Sequence, residues 1–463
     1  MRAAAAEKVL TQPLLADVEA SSVAAHPSPP DALACLAPLD GVRGVAALFI
    51  VVGHLLTFFV PRARANAVWP VFSLEFLSAV TLFFVVSGFT LTRVYASSSF
   101  VSSTERRSFA VRRATRLLPL YVAGLALGLA PFVTDSQPWT GKLSSAIAAL
   151  TLAQSLVLWR ATGWDGVLWT VSALALCSAS LLPALPRLRR ATLAQLRWAL
   201  FTCALASSTT LRLFLRTFGI QYSWIFHYGV VFRLPHFYAG VCAALLTSTP
   251  SDEHPIIPRG YFTRPTLITE VCSTLLLANV VCCGVFTRAK PLWWFVWMYV
   301  AEFDLLLLQT MWVAALCDPR CRGPTRAILA SRPLRALGGV SYALYCLHFP
   351  TLQIVSWIVE RRIVPGVPGF GLGTWYCFDA SAIAPLVVTC LVVAAAATRF
   401  VDPPGRKFVA RCWAPQHARG EATGSAASAP GDASLSPPII LRNGVASEGG
   451  LERAEVDEQA EAL

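Results

Sequence analysis

Charged side chains are scarce in this 463-residue chain. Asp, Glu, Lys and Arg make up only 14% of it, where a soluble globular domain carries about 25%. That scarcity excludes an ordinary soluble fold. A contiguous basic patch is missing as well. The formal net charge is +12, but the arginines stand in short groups between apolar runs. Such spacing suits membrane-flanking anchors and excludes nucleic acid as a partner. Cys317 and Cys321 flank a basic loop without a second cysteine or histidine pair, so no metal site is expected. Most of the 13 cysteines lie inside apolar runs and read as small hydrophobes. Residues 1–38 lack the apolar core of a signal peptide, and their acidic residues outnumber Arg2 and Lys8, unlike a transit peptide.

What the chain does have is apolar length. It is 55% hydrophobic, with a mean hydropathy of +0.57. Its repeated apolar runs predict an all-α, polytopic helical membrane protein with about ten transmembrane helices in one bundle. The spans fall near 42–60, 71–96, 117–134, 167–185, 197–216, 228–248, 265–287, 292–317, 336–358 and 380–401. An eleventh apolar stretch, 143–159, competes for a place. Counting it as a span would put the basic run 186–197 on the wrong side. With ten spans and a cytosolic N-terminus, nineteen Lys and Arg face the cytosol and nine face away. The stretch 143–159 therefore reads as an interfacial or re-entrant helix, and both termini as cytosolic. Residues 1–38 and 409–463, rich in Ala, Ser, Gly and Pro, read as disordered tails around a membrane domain at 39–408.

Ionisable groups inside apolar spans are costly and therefore informative. His54 lies about two-thirds along the first span, "VAALFIVVGHLLTFFV". Arg43, eleven residues earlier, shares its helical face within roughly 20° and lies about 16 Å away along the axis. The two can line one polar path. On this register Phe49, Val52 and Leu56 point away toward lipid. Arg113 and Arg116, at i and i+3, put two guanidiniums on one face at the cytosolic mouth of the third span, a pattern suited to phosphate or to plain anchoring. Ser87-Gly88-Phe89 reads as a close-packing site. Asp304 needs a buried Arg or Tyr partner or a place in a proton relay. Arg233 and His236, in "RLPHF", are candidates for acceptor contact or for interfacial anchoring.

Together the blocks "LDGVRGVAALFIVVGH" (39–54), "FFVVSGF" (83–89), "RRATRLLPLY" (112–121), "LGGVSYALYCLHFP" (337–350) and "RFVDPPGR" (399–406) resemble the acyltransferase-3 family of integral-membrane acyltransferases. Their order and spacing match over residues 39–408. The resemblance implies an O-acyltransferase that moves an acyl group, often acetyl, from acyl-CoA to a hydroxyl. Acyl-CoA, such as acetyl-CoA, is then the donor substrate, and the acceptor a carbohydrate, lipid or small molecule. His54 and Arg43 match the family's catalytic positions, and Arg113 and Arg116 its Arg-x-x-Arg pair, the donor-binding residues. His54 would serve as general base or form an acyl-imidazole.

One block departs. Where the family has Trp-Ser/Thr-x-Ser-x-Glu, this chain keeps Trp169, Thr170 and Ser172 but has Leu174 at the Glu position. Either Asp165 or Asp304 substitutes, or the activity is impaired. Two rivals therefore stay open: a catalytically impaired membrane scaffold, and a proton-coupled transporter built on His54, Asp304 and Arg43. The transporter would favour inverted repeats, and none is visible.

Overall fold

The computed structural model describes residues 35–59, 69–96, 98–134, 138–157, 163–218, 224–248, 262–289, 303–360, 364–365, 374–375 and 378–413. Helix α1 (Ala37–His54) opens with Pro38, Asp40 and a continuous apolar run, and passes into a wider π-helical turn at Leu55–Phe59. Pro at the start lacks only an N–H that the first turn would leave unpaired, and Asp40 complements the dipole there. Then come α2 (Trp69–Val94), α3 (Ser103–Leu127), α4 (Leu129–Thr134), α5 (Trp139–Leu150), α6 (Trp169–Leu188) and α7 (Leu193–Phe218). The chain continues through α8 (Trp224–Tyr228), α9 (Val230–Leu246), α10 (Pro265–Ala289), α11 (Leu306–Leu316) and α12 (Pro324–Leu329). It closes with α13 (Arg332–Glu360), α14 (Ile383–Phe400) and α15 (Asp402–Trp413).

A helix occupies each of the ten predicted span positions, and the molecule is an all-helical, polytopic membrane protein. Five segments are long and apolar enough to cross a bilayer: Ala37–Phe59, Trp169–Leu188, Leu193–Phe218, Pro265–Cys282 and Ala380–Phe400. Ser78–Val94, Val230–Leu246 and Leu306–Leu316 are shorter apolar helices. The first part of the predicted span 292–317, up to 302, lies outside the described residues, as do 1–34 and 414–463. The only pairing of strands among the described residues is Val364–Pro365 against Thr374–Trp375.

Three departures have plain causes. Helix α3 begins at Ser103 rather than near 117, because Ser102 caps it by accepting the Thr104 N–H at 3.1 Å and the polar turns that follow stay helical. Helix α5 is 12 residues long, about 18 Å, too short for a hydrocarbon core of about 30 Å. Its exposed side chains Trp139, Leu143, Ile147 and Leu150 recur at helical spacing along one stripe, while Lys142 turns inward and donates to the Val133 carbonyl at 2.7 Å. Leu56, assigned to lipid, is fully buried, and Phe49 and Val52 pack against the core. The reason is that α1 is wrapped by α2, α13 and α14 rather than standing at the rim.

Helix α1 lies against α13 and α2, and α2 against α9. At the α2–α9 crossing a methyl group on Gly88 would lie 2.0 Å from the Phe237 carbonyl oxygen, and one on Gly240 2.0 Å from that of Val85. Only glycine fits at either position. Ser87-Gly88-Phe89 is thus a packing site, and it fixes α2 beside the polar residues described next.

Candidate functional site

Between α1, α2, α3, α6 and α13 lies a partly open cavity of about 90 Å³. Arg43, Arg113 and Arg116 line it, with Ser87, Thr90, Thr170, Ser341 and Tyr342 as neutral polar groups and Phe83, Phe84, Val171 and Leu174 as apolar wall. Arg43 is ion-paired to Asp40 one turn back. Tyr342 donates to the Leu117 carbonyl at 2.8 Å, tying α13 to α3. Three guanidiniums at one cavity can hold phosphates, and the apolar wall can hold a hydrocarbon-like arm.

Further along α13, Tyr345 lines the same cavity, and its ring centroid is 6.0 Å from that of His348. Its hydroxyl donates to the Val167 carbonyl at 3.0 Å, and Phe83 meets it edge-on at 6.0 Å. Behind Tyr345 stands a pair that the motif reading did not single out. His348 Nε2 is 3.0 Å from His54 Nδ1. Both rings are buried, His348 fully and His54 at 9% exposure, against Phe58 and Phe349. The quoted block "YALYCLHFP" contained the signal, since a second imidazole in an apolar helix is as costly as the first.

The proton order of this pair follows from its neighbours. His348 Nδ1 faces the carbonyls of Leu344 at 3.0 Å and Tyr345 at 2.9 Å. Carbonyl oxygens only accept, so Nδ1 carries the hydrogen and, in the neutral ring, Nε2 accepts. His54 Nδ1 must then donate to it, which puts the basic lone pair of His54 on Nε2. His54 is not among the cavity's lining residues, whereas Tyr345, which lines it, has its ring beside that of His348.

The remaining sequence candidates separate. Asp304 pairs with Arg212 at 2.6 Å, on a side chain 64% exposed, and does not line the cavity. Asp165 is fully buried; one carboxyl oxygen accepts the Val167 N–H at 3.2 Å and the other is buried without a hydrogen bond. Burial pushes its carboxyl up to about 8. It too is absent from the cavity lining, so Leu174 faces the cavity with neither acid beside it there. Arg233 is no interfacial anchor. It is wholly buried, donates to the His227 carbonyl at 2.6 and 2.9 Å, and sits among the rings of Phe84, Trp169 and Phe303. His236, equally buried, is 3.1 Å from the Ser207 hydroxyl.

The fold is that of a polytopic membrane protein, with an arginine-lined cavity and a buried histidine pair in its helix bundle. The family model of the acyltransferase-3 acyltransferase domain matches residues 36–397, and the chain belongs to that family. It is also similar to "Protein 2 in picA locus" of Rhizobium radiobacter, at 42% identity over 95 residues. That match covers 20% of this chain and 44% of the relative, so the chain spans less than half the length of that protein. No solved structure matches.

Proposed function

We propose that this protein is a membrane-embedded O-acyltransferase whose domain spans 39–408 and which transfers an acyl group, typically acetyl, from acyl-CoA to a hydroxyl. The acceptor is a carbohydrate, lipid or small molecule. The observation that carries the reading is the order of groups along one path: three arginines, a cavity with an apolar wall, Tyr345, and then the His348–His54 pair.

In this reading the donor enters from the cytosol, where both termini lie. Arg113 and Arg116 bind its phosphates, and the pantetheine arm follows the cavity past Leu174. Tyr345 turns aside to bring the thioester to the histidine pair. His54 Nε2 takes the proton of the acceptor hydroxyl, and the oxygen attacks the thioester carbonyl. As the bond to sulfur breaks, the leaving thiolate takes that proton back from the imidazolium. His348 holds the ring orientation throughout and accepts a stronger hydrogen bond from His54 when that ring is charged. Arg43 stabilises negative charge on the donor. A histidine base held by a second histidine needs no carboxylate at position 174, which supports an active enzyme over an impaired scaffold.

The test is incubation of membranes containing the protein with labelled acetyl-CoA. Label should leave the donor, to water or to an acceptor, and His54→Ala should abolish this. Label retained on acid-quenched protein would replace the general-base step with an acyl-imidazole. No turnover and no donor binding by the wild type would overturn the reading.

A further inference from the structure

The mechanism above leaves Asp165 without a part, yet it sits where the start of α6 meets α3 and α13. Its Oδ1 accepts the N–H of Val167, two residues on, at 3.2 Å, which closes an Asx turn. That turn aims the Val167 carbonyl at α13, where it accepts the Tyr345 hydroxyl at 3.0 Å, and it accepts the Thr170 hydroxyl at 3.1 Å as well. Trp164 anchors the same loop to α3 by donating its indole N–H to the Leu125 carbonyl at 3.0 Å.

The second carboxyl oxygen, Oδ2, is buried without a hydrogen bond, and its surroundings name a partner. Residue 350, inside α13, is proline, so the Cys346 carbonyl lacks the N–H that it would accept from four residues on. A methyl group on Gly124 would lie 2.8 Å from that carbonyl oxygen and 3.6 Å from Asp165 Oδ2. The two oxygens thus flank one point, which α3 leaves open by having glycine there. Two oxygens that only accept would repel; one proton on the carboxyl turns them into donor and acceptor. Burial supplies that proton, since it pushes the Asp165 carboxyl up to about 8. The titratable groups within electrostatic reach are Tyr121 on α3 and Tyr345 and Cys346 on α13. None of them is a cation that would draw the proton off.

We propose that Asp165 is a positioning residue for the histidine pair: its Oδ2–H donates to the Cys346 carbonyl, while its Oδ1 holds Tyr345 through Val167. The two bonds clamp the turn of α13 that leads to His348, whose Nδ1 is set by the carbonyls of Leu344 and Tyr345. They brace the helix at the place where Pro350 would otherwise let it bend. The effect on catalysis rests on the acyl-CoA reading above.

Steady-state turnover of labelled acetyl-CoA by the full-length protein in nanodiscs, from about pH 6 to about pH 9, tests it. Asp165→Ala removes both bonds and should lower kcat about two- to tenfold at neutral pH, as for loss of a neutral hydrogen bond. Its KM for acetyl-CoA should stay unchanged. Asp165→Asn keeps an oxygen for Val167 and presents an N–H in place of Oδ2–H, so its kcat at neutral pH should be that of the wild type. Above about pH 8 the wild-type carboxyl ionises and the donor is lost, so kcat should fall, and Asp165→Asn should abolish that fall. This comparison needs only the two proteins of the same shape, whether or not Asp165→Ala folds. An alkaline fall that is the same in Asp165→Asn, or a kcat in Asp165→Asn well below the wild type at neutral pH, overturns the proposal. Hydrogen exchange over residues 163–172 and 340–350 reads the clamp without turnover. Protection lost above about pH 8 in the wild type but kept in Asp165→Asn supports the clamp even if the wild type turns over no acetyl-CoA, which would remove the acyl-CoA reading alone. Equal protection in the two proteins at every pH overturns the clamp and leaves that reading standing.

Discussion

His348 Nε2 and His54 Nδ1 lie 3.0 Å apart, and the two carbonyls facing His348 Nδ1 dictate which nitrogen of each ring carries hydrogen. Two helices distant in sequence thus fix the tautomer of one ring. Replacing His54 by Ala should lower acyl transfer by roughly 10²–10⁴, as for loss of a general base. His54→Gln, which bonds but cannot take the proton, should be as inactive. His348→Ala removes a charge-assisted bond worth about 1.5–3 kcal/mol, a loss of roughly ten- to a hundredfold in kcat. Its KM for the donor should stay unchanged. Steady-state kinetics check all three, and full activity in His54→Gln would remove the catalytic assignment.

Arg113→Ala and Arg116→Ala should each weaken acyl-CoA binding about ten- to a hundredfold, measured calorimetrically on protein in nanodiscs. Arg116→Lys should restore only part of it if the contact is a planar fork. Normal binding in the double alanine variant would reduce the pair to topology anchors.

Tyr345 lines the cavity with its ring beside His348, and in the proposed reaction it keeps water from the histidine pair. Tyr345→Ala should therefore raise the ratio of acetyl-CoA hydrolysis to acceptor transfer, because water then reaches the thioester at His54. Tyr345→Phe loses only the 3.0 Å bond to the Val167 carbonyl and should keep the wild-type ratio. Paired assays of free acetate and acylated product distinguish the two outcomes.

Legibility in the sequence varied with the kind of signal. Apolar length placed the ten helices because the bilayer imposes one requirement on all of them. Charge counting kept 143–159 from becoming an eleventh span. Burial was harder to read: lipid and protein interior are equally apolar, so periodicity assigned Leu56 to lipid when it faces protein. His54 and the arginines were legible as costly residues in or beside apolar runs. The His54–His348 contact was not, because a separation of 294 positions leaves no local trace. Helix α15 was equally hidden, since its polar sequence carries no membrane signal.

Sidedness is open to direct measurement. With ten crossings, single cysteines introduced at Ser136 and Arg190 in a Cys-depleted protein should label from opposite faces, Arg190 from the cytosol. Labelling of both from one face would reject the arrangement with both termini in the cytosol.

Asp165 predicts a pH dependence. Its folded carboxyl is pushed up to about 8 by burial, whereas in the unfolded chain it titrates near 3.9. From about pH 4 upward the unfolded state releases this proton while the folded state keeps it. The stability contribution is therefore fully present below about pH 4 and declines until about pH 8. The melting temperature should fall across that window in the wild type, and the fall should shrink in Asp165→Asn. Equal slopes in the two proteins would reject the assignment.

The glycine contacts between α2 and α9 bear on how substrates get in. Backbones that touch at Gly88 and Gly240 leave no side-chain layer to deform, so neither helix can slide past the other without breaking contact along its length. Phe83, Phe84 and Ser87 ride on α2, so their side of the cavity behaves as an anvil. Any widening that admits the donor in the proposed reaction must come from the other walls, among them α3 with its arginines. Admission of the donor and release of spent coenzyme A would then be read as movement of Arg113 and Arg116 relative to a stationary Ser87, a change that spin labels on α2 and α3 would report.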